Sequence, residues 1–104
     1  MARERGAVYT ATLASTAEAT ATTVYSSSHG QRGVTFFINS ASVGGTAKVY
    51  WVDPDGTDRL IDSQTVTAAT PLVMDYDFRI PEAKFTFTPS SGSSTAVVVE
   101  GITY

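Results

Sequence analysis

The chain has 104 residues, of which 42% are hydrophobic, 11% aromatic and 16% charged, and its formal net charge is -3. That length suits one domain with a single core, and the acidic balance argues against a phosphate-neutralising surface and so against direct nucleic-acid binding. The absence of cysteine excludes disulfides and Cys-based zinc sites, and no stretch is apolar enough for a signal peptide or membrane helix, so a cytoplasmic origin without a membrane partner is expected.

Polar and apolar residues alternate along most of the chain in short runs separated by Gly, Pro, Asp and Ser. A strand sends successive side chains to opposite faces, so this period of two predicts sheets with one apolar and one Thr-rich face. Residues 1–6, with Arg3, Glu4 and Arg5, form the most charged stretch and read as an arm outside the body, which spans 7–104. Residues 7–14 alternate Val8, Thr10 and Thr12 against Tyr9, Ala11 and Leu13, which predicts a first strand. Residues 14–23 admit one helical turn, but their threonines, stiff at the β-carbon, favour extended chain running into Val24 and Tyr25.

Ser26 to Gly30, including the single histidine His29, is a loop by composition. A central strand follows over 33–39, with Val34, Phe36 and Ile38 on one side and Phe37 on the other, which predicts cover on both faces. The run 47–52 places Val49 and Trp51 on one face, and Asp53-Pro54-Asp55-Gly56 stops it with the chemistry of a type I turn, often followed by a bulge. Further strands are expected over 59–66, from Leu72 through Met74 and Tyr76 to Phe78, around Phe85 and Phe87, and over 96–99 with Ile102. The fold class is all-β: a single antiparallel β-sandwich, jelly-roll or Ig-like, of about seven to eight strands. Phe36, Ile38, Val49, Trp51, Leu72, Met74, Phe85, Phe87 and Val98 are the expected core.

Candidate chemistry is sparse. Asp53, Asp55 and Asp58 suggest calcium, but the Gly56 spacing and Gln64 do not fit the helix-loop-helix calcium pattern, and a simple turn accounts for them better. Asp75 and Asp77 could pair as acid and base, yet no second-strand partner is apparent, so a solvated face is the simpler reading. His29 among serines matches no nucleophile-elbow spelling. Trp51, Tyr50 and Tyr76 could stack on sugars, although a single Trp within a strand more often belongs to the core. No enzyme, cofactor or metal is expected.

The order of features nevertheless has a family likeness. A Thr/Ala-rich strand, Arg32-Gly33-Val34-Thr35-Phe36-Phe37-Ile38-Asn39, the Asp53-Pro54-Asp55-Gly56 turn, a Leu60-Ile61 strand, Thr65-Val66-Thr67-Ala68 and a Ser/Thr-rich final hairpin resemble small structural proteins of tailed bacteriophages, from about Tyr9 onward. The segment 77–81 is more compact than the insertion such chains tend to carry between the sixth and seventh strands. The resemblance implies a non-enzymatic capsid decoration (cement) protein on the virion surface, bound to the major capsid protein and associating with itself, through contacts that include Arg3, Glu4, Arg5 and Tyr9. A tail, neck or fibre-base protein and a carbohydrate-binding host-adhesion module are the alternatives. A charged fraction below the roughly 25% of ordinary domains suits permanent docking, since little charge must be desolvated.

Overall fold

A computed structural model describes residues 4–25 and 32–104. Eight strands follow in chain order: β1 (Glu4–Leu13), β2 (Ala19–Tyr25), β3 (Val34–Ser40), β4 (Gly45–Val52), β5 (Asp58–Val66), β6 (Leu72–Tyr76), β7 (Glu82–Pro89) and β8 (Thr95–Thr103). They form two four-stranded antiparallel sheets, β1-β8-β3-β6 and β2-β7-β4-β5. The pairings nest as 1 with 8, 2 with 7, 3 with 6 and 4 with 5, a long hairpin folded over on itself. That is jelly-roll connectivity, which decides between the two sandwich types expected from sequence.

Period-two placement of bulky residues explains the core. Val34, Phe36, Ile38, Val49, Met74, Phe85, Phe87, Val97 and Val99 are all buried between the sheets, and Leu72 packs partly buried against them. Phe36 from one sheet and Phe85 from the other stack with ring centroids 4.9 Å apart, which ties the layers at their centre. A satisfied polar knot closes one end. Ser40 Oγ donates to the Val43 carbonyl at 2.6 Å and lies 2.8 Å from Thr95 Oγ1, which also accepts from the Ser42 and Val43 amides.

Four expectations are corrected. Trp51 is 38% exposed and Val98 49%, so neither belongs to the core. In the run Ala96-Val97-Val98-Val99 every residue is apolar, and the register places Val97 and Val99 inward, which turns Val98 out. Phe37 is exposed, so β3 is covered on its inner face only. Finally, the strand β1 begins at Glu4 and pairs Glu4 with Thr103 and Arg5 with Ile102, followed by a bulge. Residues 4–6 are therefore part of the sheet and not of an arm: β8 runs on to Thr103 and offers backbone partners that no composition argument could reveal.

Candidate functional site

The two outer faces of the sandwich differ in chemistry. Residues directly opposite each other share a face, so the registers Val8–Glu100, Glu100–Phe37 and Phe37–Val73 trace one row across β1, β8, β3 and β6. Val8, Phe37 and Val73 in that row are exposed, as is Val98 in the next, which stands between Thr10 and Asn39. Phe37, Asn39, Pro71, Val98 and Glu100 line a shallow concavity of about 130 Å³ there.

The outer face of the other sheet is polar and satisfied from within. Glu18 Oε2 accepts from the Tyr50 hydroxyl and from Thr86 Oγ1, both at 2.6 Å, and these bonds, Thr86 first, hold its carboxyl below the ordinary glutamate value. Burial, with Glu18 beside it, pushes the Tyr50 hydroxyl up to about 12. Lys84 donates to Asp58 at 2.7 Å and lies 5.9 Å from the centre of the Tyr50 ring.

A third surface lies at the end of the sandwich where β4 stops. Trp51 pairs with Arg59 and with buried Ala83, which turns its indole toward the opposite sheet. The strand β6 has already ended at Tyr76, however, so the indole meets the crossover 77–81 and stays partly open. It stands with Pro81 between two clefts. One, of about 520 Å³, is lined also by Val52, Asp53, Pro54, Gly56 and Glu82; the other, of about 330 Å³, by Arg59, Leu60, Ile61, Phe78, Arg79 and Ile80. Leu60, Ile61 and Phe78 are exposed beside it.

The Asp53 turn that borders this site is built as the sequence suggests. The Asp53 carbonyl accepts from Gly56 N at 2.8 Å, Asp53 N donates to the Thr57 carbonyl at 3.0 Å, and Gly56 adopts φ +84°. Asp53 Oδ1 accepts from the Asp55 and Thr57 amides, and Oδ2 from Arg59 Nε at 3.0 Å. The Thr57 amide first, then Arg59 and the Asp55 amide, hold this carboxyl below its ordinary value against a smaller opposing effect of burial. An oxygen pair engaged with three donors is a turn brace. Among the described residues no group of three His, Cys, Asp or Glu side chains is placed to hold a metal.

Other expected site residues scatter. Arg3 and His29 lie outside the described residues, and of Glu4 and Arg5 only the backbone pairing is described. Tyr9 packs partly buried against the core, and period two turns it inward opposite Val99. Asp75 accepts from Thr35 Oγ1 at 2.5 Å and from the Tyr104 hydroxyl at 2.9 Å, whereas Asp77 lies beyond the end of β6, so the two do not form a pair on one strand. Tyr50, Trp51 and Tyr76 point three ways, since the Tyr76 hydroxyl donates inward to Asp62 at 2.8 Å, and they make no common platform. The apolar row on the first sheet was missed by sequence reading. Its signal was the presence of Phe37, Val73 and Val98 at positions out of phase with the core residues around them.

No known protein family and no curated protein sequence matches this chain.

Proposed function

We propose that this protein is a non-catalytic assembly module, and specifically a capsid decoration protein that docks on the outside of a phage head. The observation that carries the reading is the asymmetry of the sandwich: exposed Val8, Phe37, Val73 and Val98 on one outer face, and the Glu18–Tyr50–Thr86 and Lys84–Asp58 contacts on the other. Exposed apolar residues gathered into a patch mark interaction surfaces, while a polar face suits solvent. The Trp51 end adds Trp, Phe and Arg side chains, the types that dominate binding energy at interfaces. Cement proteins need a rigid module with a lightly charged docking face, and many copies then stabilise the shell by mass action. The phage context comes from the sequence resemblance alone.

The test is to add purified protein to heads assembled without it. Co-sedimentation with the heads, and a higher temperature of head rupture, are expected; occupancy of tails alone overturns the head reading.

Exposed Trp51 favours a second reading, a sugar-binding adhesion module, because an indole flanked by Glu82 and Arg59 could stack on a pyranose ring and meet its hydroxyls. A glycan array with no binder sinks it.

A further inference from the structure

A sandwich has four sheet edges, and three of these are visibly blunted. The strand β6 has five residues and carries Asp75, β5 carries Asp58, Arg59 and Asp62 with a bulge near Tyr50, and β2 is interrupted by a bulge between Thr20 and Thr22. Charges, bulges and short length are the usual protections against edge pairing. The edge of β1 is different. From Ala7 to Leu13 its register with β8 is unbroken, and the run Ala-Val-Tyr-Thr-Ala-Thr-Leu contains no charge, Pro or Gly. Its outer face shows Val8, 54% exposed, with exposed Thr10 and Thr12.

The geometry points to a second copy of this chain as the occupant of that edge, with the two β1 strands antiparallel about a two-fold axis at Thr10. The strand is self-complementary in this register. Thr10 faces its own counterpart, Val8 faces Thr12 of the other copy, and inward-turned Tyr9 falls beside small Ala11. Thr-Thr and β-branched cross-strand pairs are favourable, and the charged residues Glu4 and Arg5 fall outside the seven-residue overlap. Any other centre leaves part of the uncharged run unpaired. The axis is normal to the sheet, so the paired sheets become one of eight strands whose exposed Val8, Phe37, Val73 and Val98 face the same way. If that face docks as proposed above, the dimer presents it twice, and two linked contacts hold far better than one. The pairing itself does not depend on that reading.

Sedimentation velocity from micromolar to millimolar protein, with hydrogen exchange of the β1 amides, tests it. The expected result is a doubling of mass with concentration, together with slower exchange along 7–13. Thr10→Lys and Thr10→Glu each place like charges directly opposite one another and should each be monomeric, with thermal midpoints close to that of the parent at concentrations where the parent is itself monomeric, because position 10 is exposed. An equimolar mixture of the two should regain the doubled mass. A parent that stays monomeric throughout, leaving the edge for a foreign strand, overturns the inference. So does a dimer that persists in either variant, or a mixture that stays monomeric. Head binding is scored separately on particles, so failure of the dimer leaves the docking proposal standing.

Discussion

Phe85 and Trp51 are both large aromatics on inner-facing positions, but one is fully buried and the other more than a third open. Phe85→Ala should therefore cost about 3–5 kcal/mol by denaturant titration, since it opens a cavity at the stacked centre. Trp51→Ala should cost less, about 2–3 kcal/mol, because more than a third of its surface never leaves water. Equal losses would return Trp51 to the core. Gly56 gives a second contrast. At φ +84° a Cβ would meet nothing within 4 Å, so Gly56→Ala should cost about 1–2 kcal/mol through the backbone alone. At Gly45 a Cβ would run into the Thr88 carbonyl of the neighbouring strand, and Gly45→Ala should destabilise through that collision instead. Charge at the residue scale sets the pH response. Glu18, held down by Thr86 and Tyr50, Asp53 by the Thr57 amide and Arg59, and Asp62 by Tyr76 all lie below their ordinary values. The unfolded chain binds these protons more readily, so their contribution is complete above roughly pH 4–5 and disappears as pH falls through the lowered values. Tyr50, raised by burial and Glu18, and Tyr76, raised by burial and Asp62, act at the other end: their contribution is present below roughly pH 10 and lost as pH rises past about 12 for Tyr50. Urea midpoints should form a plateau with both flanks falling, and the acid flank should shrink in Asp62→Asn. Excess calcium should leave the thermal midpoint unchanged, because the Asp53 oxygens are already occupied by donors.

At the scale of the element, the knot at Thr95 joins the turn after β3 to the start of β8. Thr95→Val keeps the shape but leaves the Ser42 and Val43 amides without their acceptor, and should cost about 1–3 kcal/mol in a thermal or denaturant measurement. Elements of this kind explain what the sequence could and could not disclose. Isolated alternation such as Phe85-Thr86-Phe87 identified both the strand and its buried side, and Asp53-Pro54-Asp55-Gly56 identified its turn, because the evidence for each is local. Val98 was misassigned because four consecutive apolar residues carry no phase, and phase is settled only by pairing with β1 and β3. Trp51 has the right phase for the core, and its exposure depends on where β6 ends on the opposite sheet, a fact about another segment. The candidate docking row is spread over four strands distant in the chain, so no single stretch of sequence could display it.

At the scale of the molecule, the nested pairing places the last strand, β8, between β1 and β3, so the first sheet cannot form without the C-terminus. Such non-local pairing predicts refolding in the millisecond-to-second range, and a chain truncated after Ser94 should lack near-UV ellipticity and cooperative melting. The same topology separates the two outer faces, so the proposed docking can be tested on each of them. Val73 stands opposite Phe37 on the first sheet's outer face, more than half exposed and remote from the stacked core, so Val73→Lys should leave folding nearly unchanged. If that face meets the capsid, the new charge must lose water on binding, and affinity for heads should fall by at least about 2 kcal/mol, about thirtyfold. Lys48 stands opposite Thr86 on the polar face, beside Glu18, and reversing its charge with Lys48→Glu should change retention little beyond a salt-dependent effect. Head-binding isotherms for the parent and both variants decide the matter: equal losses would leave neither face preferred, a loss confined to Lys48→Glu would place the capsid on the polar side, and either result undoes the assignment.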